Sequence, residues 1–89
     1  MVKQEIAIIN KLGLHARAAA KLAKTAGQFS CTIEVSNGQS AVDGKSVMSL
    51  MLLAASRGTV LEVSANGCDE ESAMTAIEEL INNRFEEDE

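Results

Sequence analysis

The sequence predicts an α+β fold, an open-faced β-sandwich in which three helices cover one face of a four-stranded antiparallel sheet. Three observations predict it. The hydrophobic period switches repeatedly between two and 3.6 residues, giving the order β-α-β-β-α-β-α. A chain of 89 residues has room for a single domain, residues 1–89, with one thin core. Four short strands in such a chain cannot bury both faces of their sheet, so one face stays wet.

Each element has its own signal. Residues 3–9 alternate as a strand with Ile6 and Ile8 on one face, and residues 10–13 read as a turn. Residues 16–26 are strong helix formers whose apolar stripe is Ala19, Leu22, Ala23 and Ala26, with Lys21 and Lys24 off it. Gly27 is the expected left-handed cap. Cys31, Ile33 and Val35 alternate with polar residues as a half-buried strand. Asn37-Gly38 then signals a hairpin, and residues 40–43 form the returning strand. Ser46 is a natural N-cap for a short helix running through Ser56 and stopped at Gly58. Residues 60–65 make the fourth strand, with Leu61, Val63 and Ala65 inward. Asp69 caps a final helix with Glu70 and Glu71 in its first turn and Ala73, Ala76, Ile77, Leu80 and Ile81 on its core face. Residues 86–89 are expected to be a frayed acidic tail.

Composition narrows the function. The net charge of −5 argues against nucleic-acid binding, which needs a basic surface to displace counterions. Much of that acid sits in the last four residues, so it says little about protein partners. The most apolar stretch, residues 47–55, is far short of the roughly 20 residues of a membrane helix, so no membrane partner is expected. The N-terminus shows no apolar run behind a basic stretch, and no secretory leader is expected. Cys31 and Cys68 form no metal motif and read as free thiols of a reducing cytoplasm.

The chemistry gathers where the first helix begins. His15 stands at or beside the N-cap, where Ser, Thr, Asp or Asn would ordinarily sit. Arg17 brings a cation to the positive end of the helix dipole, at a cost of a few tenths of a kcal/mol. Taken singly, these are an ordinary surface histidine and a solvated charge. Together they fit a phosphoryl group on the imidazole, held by the outward N–H groups of the first turn and by Arg17. A neutral imidazole is a nucleophile near pH 7, and a phosphoimidazole readily gives up its phosphoryl group. No nucleotide loop, general base or metal cage accompanies the pair, so partner proteins must complete the site and no cofactor is expected.

The segment Gly13-Leu14-His15-Ala16-Arg17, with Ala19-Ala20 behind it, resembles the HPr family, the histidine phosphocarriers of the bacterial phosphotransferase system. The resemblance extends to Asp43-Gly44-Lys45-Ser46-Val47-Met48 and to Arg57-Gly58-Thr59-Val60, and so covers nearly the whole chain. It implies that His15 accepts a phosphoryl group on Nδ1 from enzyme I, which was itself charged by phosphoenolpyruvate, and donates it to a IIA component. Arg17 would stabilise the phosphate together with the backbone of Ala16 and Arg17. The resemblance further implies a cytoplasmic monomer without bound metal, a stoichiometric carrier rather than an enzyme. Leu14, Ala16, Arg17, Ala20, Lys24, Val47, Met48 and Met51 fall where the family docks its partners. The second helix is apolar most of the way round, and flexible methionines suit a surface that serves several partners.

Ser46 carries two compatible readings: helix N-cap, and the site of regulatory phosphorylation by the dedicated HPr kinase of some bacteria. Ala18 departs from the family, which usually has proline there; that affects the rigidity of the helix start, not the chemistry, and Ala18→Pro is expected to accept phosphate within a few-fold of wild type. Two other readings keep the fold: a nitrogen-branch carrier feeding a regulatory IIA protein, and a non-phosphorylated regulatory binding module. An intact His15 and Arg17 argue against the second. An RNA-binding α+β domain would need strand aromatics and a basic surface, and both are missing.

Overall fold

A computed structural model describes residues 1–86. Its elements follow the expected order: β1 (Val2–Ala7), α1 (Ala16–Gly27), β2 (Thr32–Ser36), β3 (Ala41–Asp43), α2 (Val47–Leu52), β4 (Val60–Asn66) and α3 (Glu70–Asn82), with a final turn at Arg84–Glu86. The four strands form one antiparallel sheet in the order β1-β4-β2-β3. Inward residues Ile6, Ile33, Val35, Leu61, Val63 and Ala65 meet the helices' apolar faces in one core, built almost wholly from aliphatic side chains.

The outer face carries a consequence of the register. Glu5 lies directly opposite Glu62, and Glu34 directly opposite Asp43. All four are exposed. Like charges facing each other across strands are destabilising. Glu62→Lys is therefore expected to raise stability by about 0.2–1 kcal/mol in urea unfolding at low salt, with the gain shrinking in high salt.

Several local expectations give way to longer-range contacts. Gly27 is not a left-handed cap, since its φ is not positive; it is the last residue of α1. The helix instead tightens at its end, where the N–H of Gln28 donates to Thr25 O at 3.2 Å and that of Phe29 to Ala26 O at 3.2 Å. The β2–β3 hairpin has a four-residue loop, residues 37–40, in which only Gly38 takes a positive φ (93°). Asn37 serves through its side chain, whose Oδ1 accepts from the N–H of Gln39 and Ser40, both at 2.9 Å.

Asp69 occupies the N-cap position of α3 but makes no side-chain cap there. Its carboxylate accepts instead from the N–H of Ser30 (2.8 Å) and Cys31 (2.9 Å), clasping the start of β2 to the start of α3. The Ser30 N–H above all holds this carboxyl below the usual carboxylate range. The clasp is thus intact at neutral pH and fades as pH falls through that lowered value. Burial, with the Asp69 charge beside it, pushes the Cys31 thiol up, so it stays protonated in the core. On α3 the buried residues are Ala73, Met74, Ile77 and Ile81, while Ala76 and Leu80 are half-buried.

The C-terminal segment is more ordered than the sequence suggests at its start. Arg84, Phe85 and Glu86 take φ values of 55°, 53° and 65°, a left-handed turn that swings the Phe85 ring fully into the core. The Lys21 ammonium donates to Phe85 O at 2.8 Å and lies 3.8 Å from the Glu86 carboxylate. Glu86 is therefore part of the fold rather than of a frayed tail, and residues 87–89 lie outside the described residues.

Candidate functional site

His15 is the N-cap of α1: its backbone is extended (φ −80°, ψ 179°), and its Nδ1 accepts from the N–H of Arg17 at 3.3 Å. A ring nitrogen that accepts keeps its lone pair in the plane of the ring, so the neutral imidazole carries its proton on Nε2. The lone pair therefore faces the mouth of the helix. The contact is long for a hydrogen bond, and little must be given up to replace it.

Backbone contacts from two loops fix the histidine. Leu14 N–H donates to Ala55 O at 2.8 Å, tying the residue before His15 to the loop after α2. Gly13 packs so closely on that loop that a Cβ there would lie 2.6 Å from Ala55 O and 2.8 Å from Ser56 Cα. Its φ of 69° is also a conformation that favours glycine. From below, the fully buried Asn10 donates through Nδ2 to Gly13 O at 2.8 Å. Composition gave no hint of Asn10; its only signal was an amide side chain three residues before a glycine turn.

The loop after α2 also explains a shortened helix. The sequence predicts helix through Ser56, but α2 ends at Leu52 and Ala54 takes a positive φ of 49°. This reversal buries Leu53 and Ala55 and turns the Ala55 carbonyl toward Leu14.

Of the predicted site residues, His15, Ala16 and Arg17 meet at the start of α1. Ala16 and Arg17 are exposed, and the Arg17 guanidinium has no ion-pair or hydrogen-bond partner among the described residues. Ala16, Ala20 and Lys24 follow at four-residue spacing as one exposed face of α1. α2 packs beside α1 and presents Met48 (76% exposed) and Met51 (43%) to solvent. Val47 is only half-buried, against the core. Leu52, at 82% exposure, extends this apolar surface and was not among the predicted residues.

Leu14 departs from the prediction. It is 5% exposed and packs in the core, so its side chain supports the histidine loop and is not offered to a partner. Ser46 caps α2, its Oγ accepting from the Ser49 N–H at 3.3 Å, and it stays half-buried. No helix among the described residues is long and apolar enough to cross a membrane.

Comparison with known proteins agrees with this geometry. The family model described as "PTS HPr component phosphorylation site" matches residues 2–83. The chain is 54% identical over 89 residues to the phosphocarrier protein HPr of Neisseria meningitidis, covering 100% of both chains. It is 56% identical over 86 residues to that of Pseudomonas aeruginosa, covering 96% of each. The crystal structure of HPr-C-His from Thermoanaerobacter tengcongensis superposes with a TM-score of 0.95 at 44% identity, covering 100% of both chains. The chain belongs to the HPr family, the phosphocarriers of the phosphotransferase system.

Proposed function

We propose that His15 carries the phosphoryl group, taking it from phosphorylated enzyme I and giving it to a IIA component. The observation that carries this reading is the Nδ1 lone pair of His15, aimed into the mouth of α1. Nδ1 attacks phosphorus as the bond to the donor breaks, and no proton has to leave Nδ1 because it holds none. The Arg17 N–H, which had met the lone pair, then meets a phosphoryl oxygen, and the Ala16 N–H donates beside it. The Arg17 guanidinium balances the added charge. The return step runs the same way in reverse: the acceptor attacks phosphorus and Nδ1 recovers its lone pair.

In this reading the chain is a stoichiometric carrier, not an enzyme. It works in the cytoplasm as a monomer, with the covalent phosphate as its only added group. Partners dock on the exposed face of α1 through Ala16, Ala20 and Lys24, and on α2 through Met48 and Met51, with Val47 at the margin. Incubation with enzyme I and phosphoenolpyruvate is expected to add one phosphoryl mass to the wild-type protein and none to His15→Ala. Addition to His15→Ala would place the phosphate elsewhere and end the proposal.

A phosphate on Ser46 would add negative charge at the edge of this apolar surface. Ser46→Asp is expected to weaken enzyme I binding several-fold in titration calorimetry. Equal affinity for variant and wild type would remove Ser46 from the regulation of docking.

A further inference from the structure

We infer that the free edge of β1 pairs two copies of this chain as antiparallel strands, with Lys3 of one copy facing Glu5 of the other. Such pairing does not depend on which atom carries the phosphoryl group. In the strand order β1-β4-β2-β3, β4 covers one side of β1 and no strand among the described residues covers the other. A six-residue edge without proline is a template for a further strand.

The ladder fixes which backbone groups that edge offers. The Ile8 N–H points to β4, donating to Thr59 O at 2.9 Å. Backbone groups alternate in direction along a strand, so Gln4 and Ile6 also turn toward β4. Lys3, Glu5 and Ala7 therefore turn their N–H and C=O groups outward, and none of these N–H groups has a partner among the described residues. A second β1 can bond this edge only where outward residues face outward residues. The register centred on Gln4 does so and sets Lys3 opposite Glu5 twice, once on each side of the two-fold axis. Its neighbouring allowed registers set Lys3 against Lys3 or Glu5 against Glu5, and like charges facing each other are destabilising.

Both side chains are exposed on the outer face, where Glu5 already lies opposite Glu62 of its own chain. Lys3 of the second copy brings to Glu5 the opposite charge that β4 does not. A lysine on an edge ordinarily turns other strands away. Here the residue two places on is the acid that accepts it, so the edge admits its own copy and rejects most others. The pair leaves phosphoryl transfer open. Ala7 faces Met1 in this register, so the chain from Ile8 to His15 runs beyond the paired segment, and α2 packs beside β3 at the far edge of the sheet. Contact confined to one edge falls below the roughly 1,200 Å² of a stable interface. Pairing is therefore weak: each chain transfers phosphate singly, and the pair forms as protein concentration rises.

Sedimentation equilibrium of the full-length protein in low salt, from micromolar to millimolar concentration, tests this. The apparent mass is expected to climb toward that of two chains. Lys3→Glu and Glu5→Lys should each weaken association by about tenfold, because both cross-strand pairs become like-charged. The double variant Lys3→Glu/Glu5→Lys only inverts the pairs and should restore association to within about threefold of wild type. Both positions are exposed, so these variants keep the fold. In a mixture of isotope-labelled and unlabelled protein, an intermolecular NOE between the α protons of Val2 and Ile6 should report the register. A constant monomer mass, or single variants that associate like wild type, would overturn the inference. So would a double variant that stays apart, or intermolecular NOEs from β1 to β4, which would mean exchanged strands instead of paired edges.

Discussion

Gly13→Ala is expected to lower stability by about 2–4 kcal/mol and to slow phosphoryl transfer by about a hundredfold. Two effects add at this position. The φ of 69° is strained for any residue with a Cβ. The new methyl would also lie 2.6 Å from Ala55 O and 2.8 Å from Ser56 Cα, both backbone atoms that cannot turn aside as a side chain can. The two loops must separate, stretching the 2.8 Å bond from Leu14 N–H to Ala55 O and the 2.8 Å bond from Asn10 to Gly13 O. Those contacts fix the residue immediately before His15, so the imidazole shifts with them.

Gly38→Ala is the control. It has a positive φ of 93° but nothing within 4 Å of the added Cβ. It should cost about 1 kcal/mol and leave transfer unchanged. Urea unfolding and a transfer assay on both variants separate the two contributions. A Gly13→Ala protein that transfers at the wild-type rate would show that the loop contact does not position the histidine.

Phe85→Ala should be the most destabilising core substitution, at about 3–5 kcal/mol. Phe85 heads the fully buried side chains by volume. Its removal leaves a cavity and also frees the turn that delivers it, whose three residues take φ values between 53° and 65°. A left-handed run of non-glycine residues is unfavourable by itself and holds only while burial of the ring and the Lys21 bond to Phe85 O compensate for it. In a domain of this size the loss corresponds to a fall in Tm of at least about 12 °C. Phe85→Leu should keep the turn and lose much less. A loss below about 1 kcal/mol for Phe85→Ala would mean that the ring is not seated in the core.

The success and failure of the sequence reading divide along one physical line. Periodicity located β1, α1, β2, β4 and α3, because the alternation of Ile33 and Val35 with Thr32 and Glu34 and the stripe from Ala19 to Ala26 are local patterns that burial enforces, while turn and cap residues marked β3 and α2. His15 and Arg17 were legible for the opposite reason: each breaks a local rule, and both breaks fall at one helix start. What escaped was set by distant partners. Asp69 has the right residue type for an N-cap, but two amides at the start of β2 claim its carboxylate. After α2 the chain reverses at Ala54 and its Ala55 carbonyl meets the N–H of Leu14, a residue far earlier in the sequence. Leu14 was a docking residue only through the family resemblance, and packing shows it turned inward.

The central claim is that the Nδ1 of His15 is the atom that carries the phosphoryl group. Phosphorus NMR of the protein with enzyme I and phosphoenolpyruvate tests it most directly, with His15→Ala beside it. The account predicts an acid-labile signal of phosphate bonded to the δ nitrogen of an imidazole, absent from the variant. A signal from the ε nitrogen, an acid-stable phosphate ester, or a phosphoimidazole that persists in His15→Ala would contradict it.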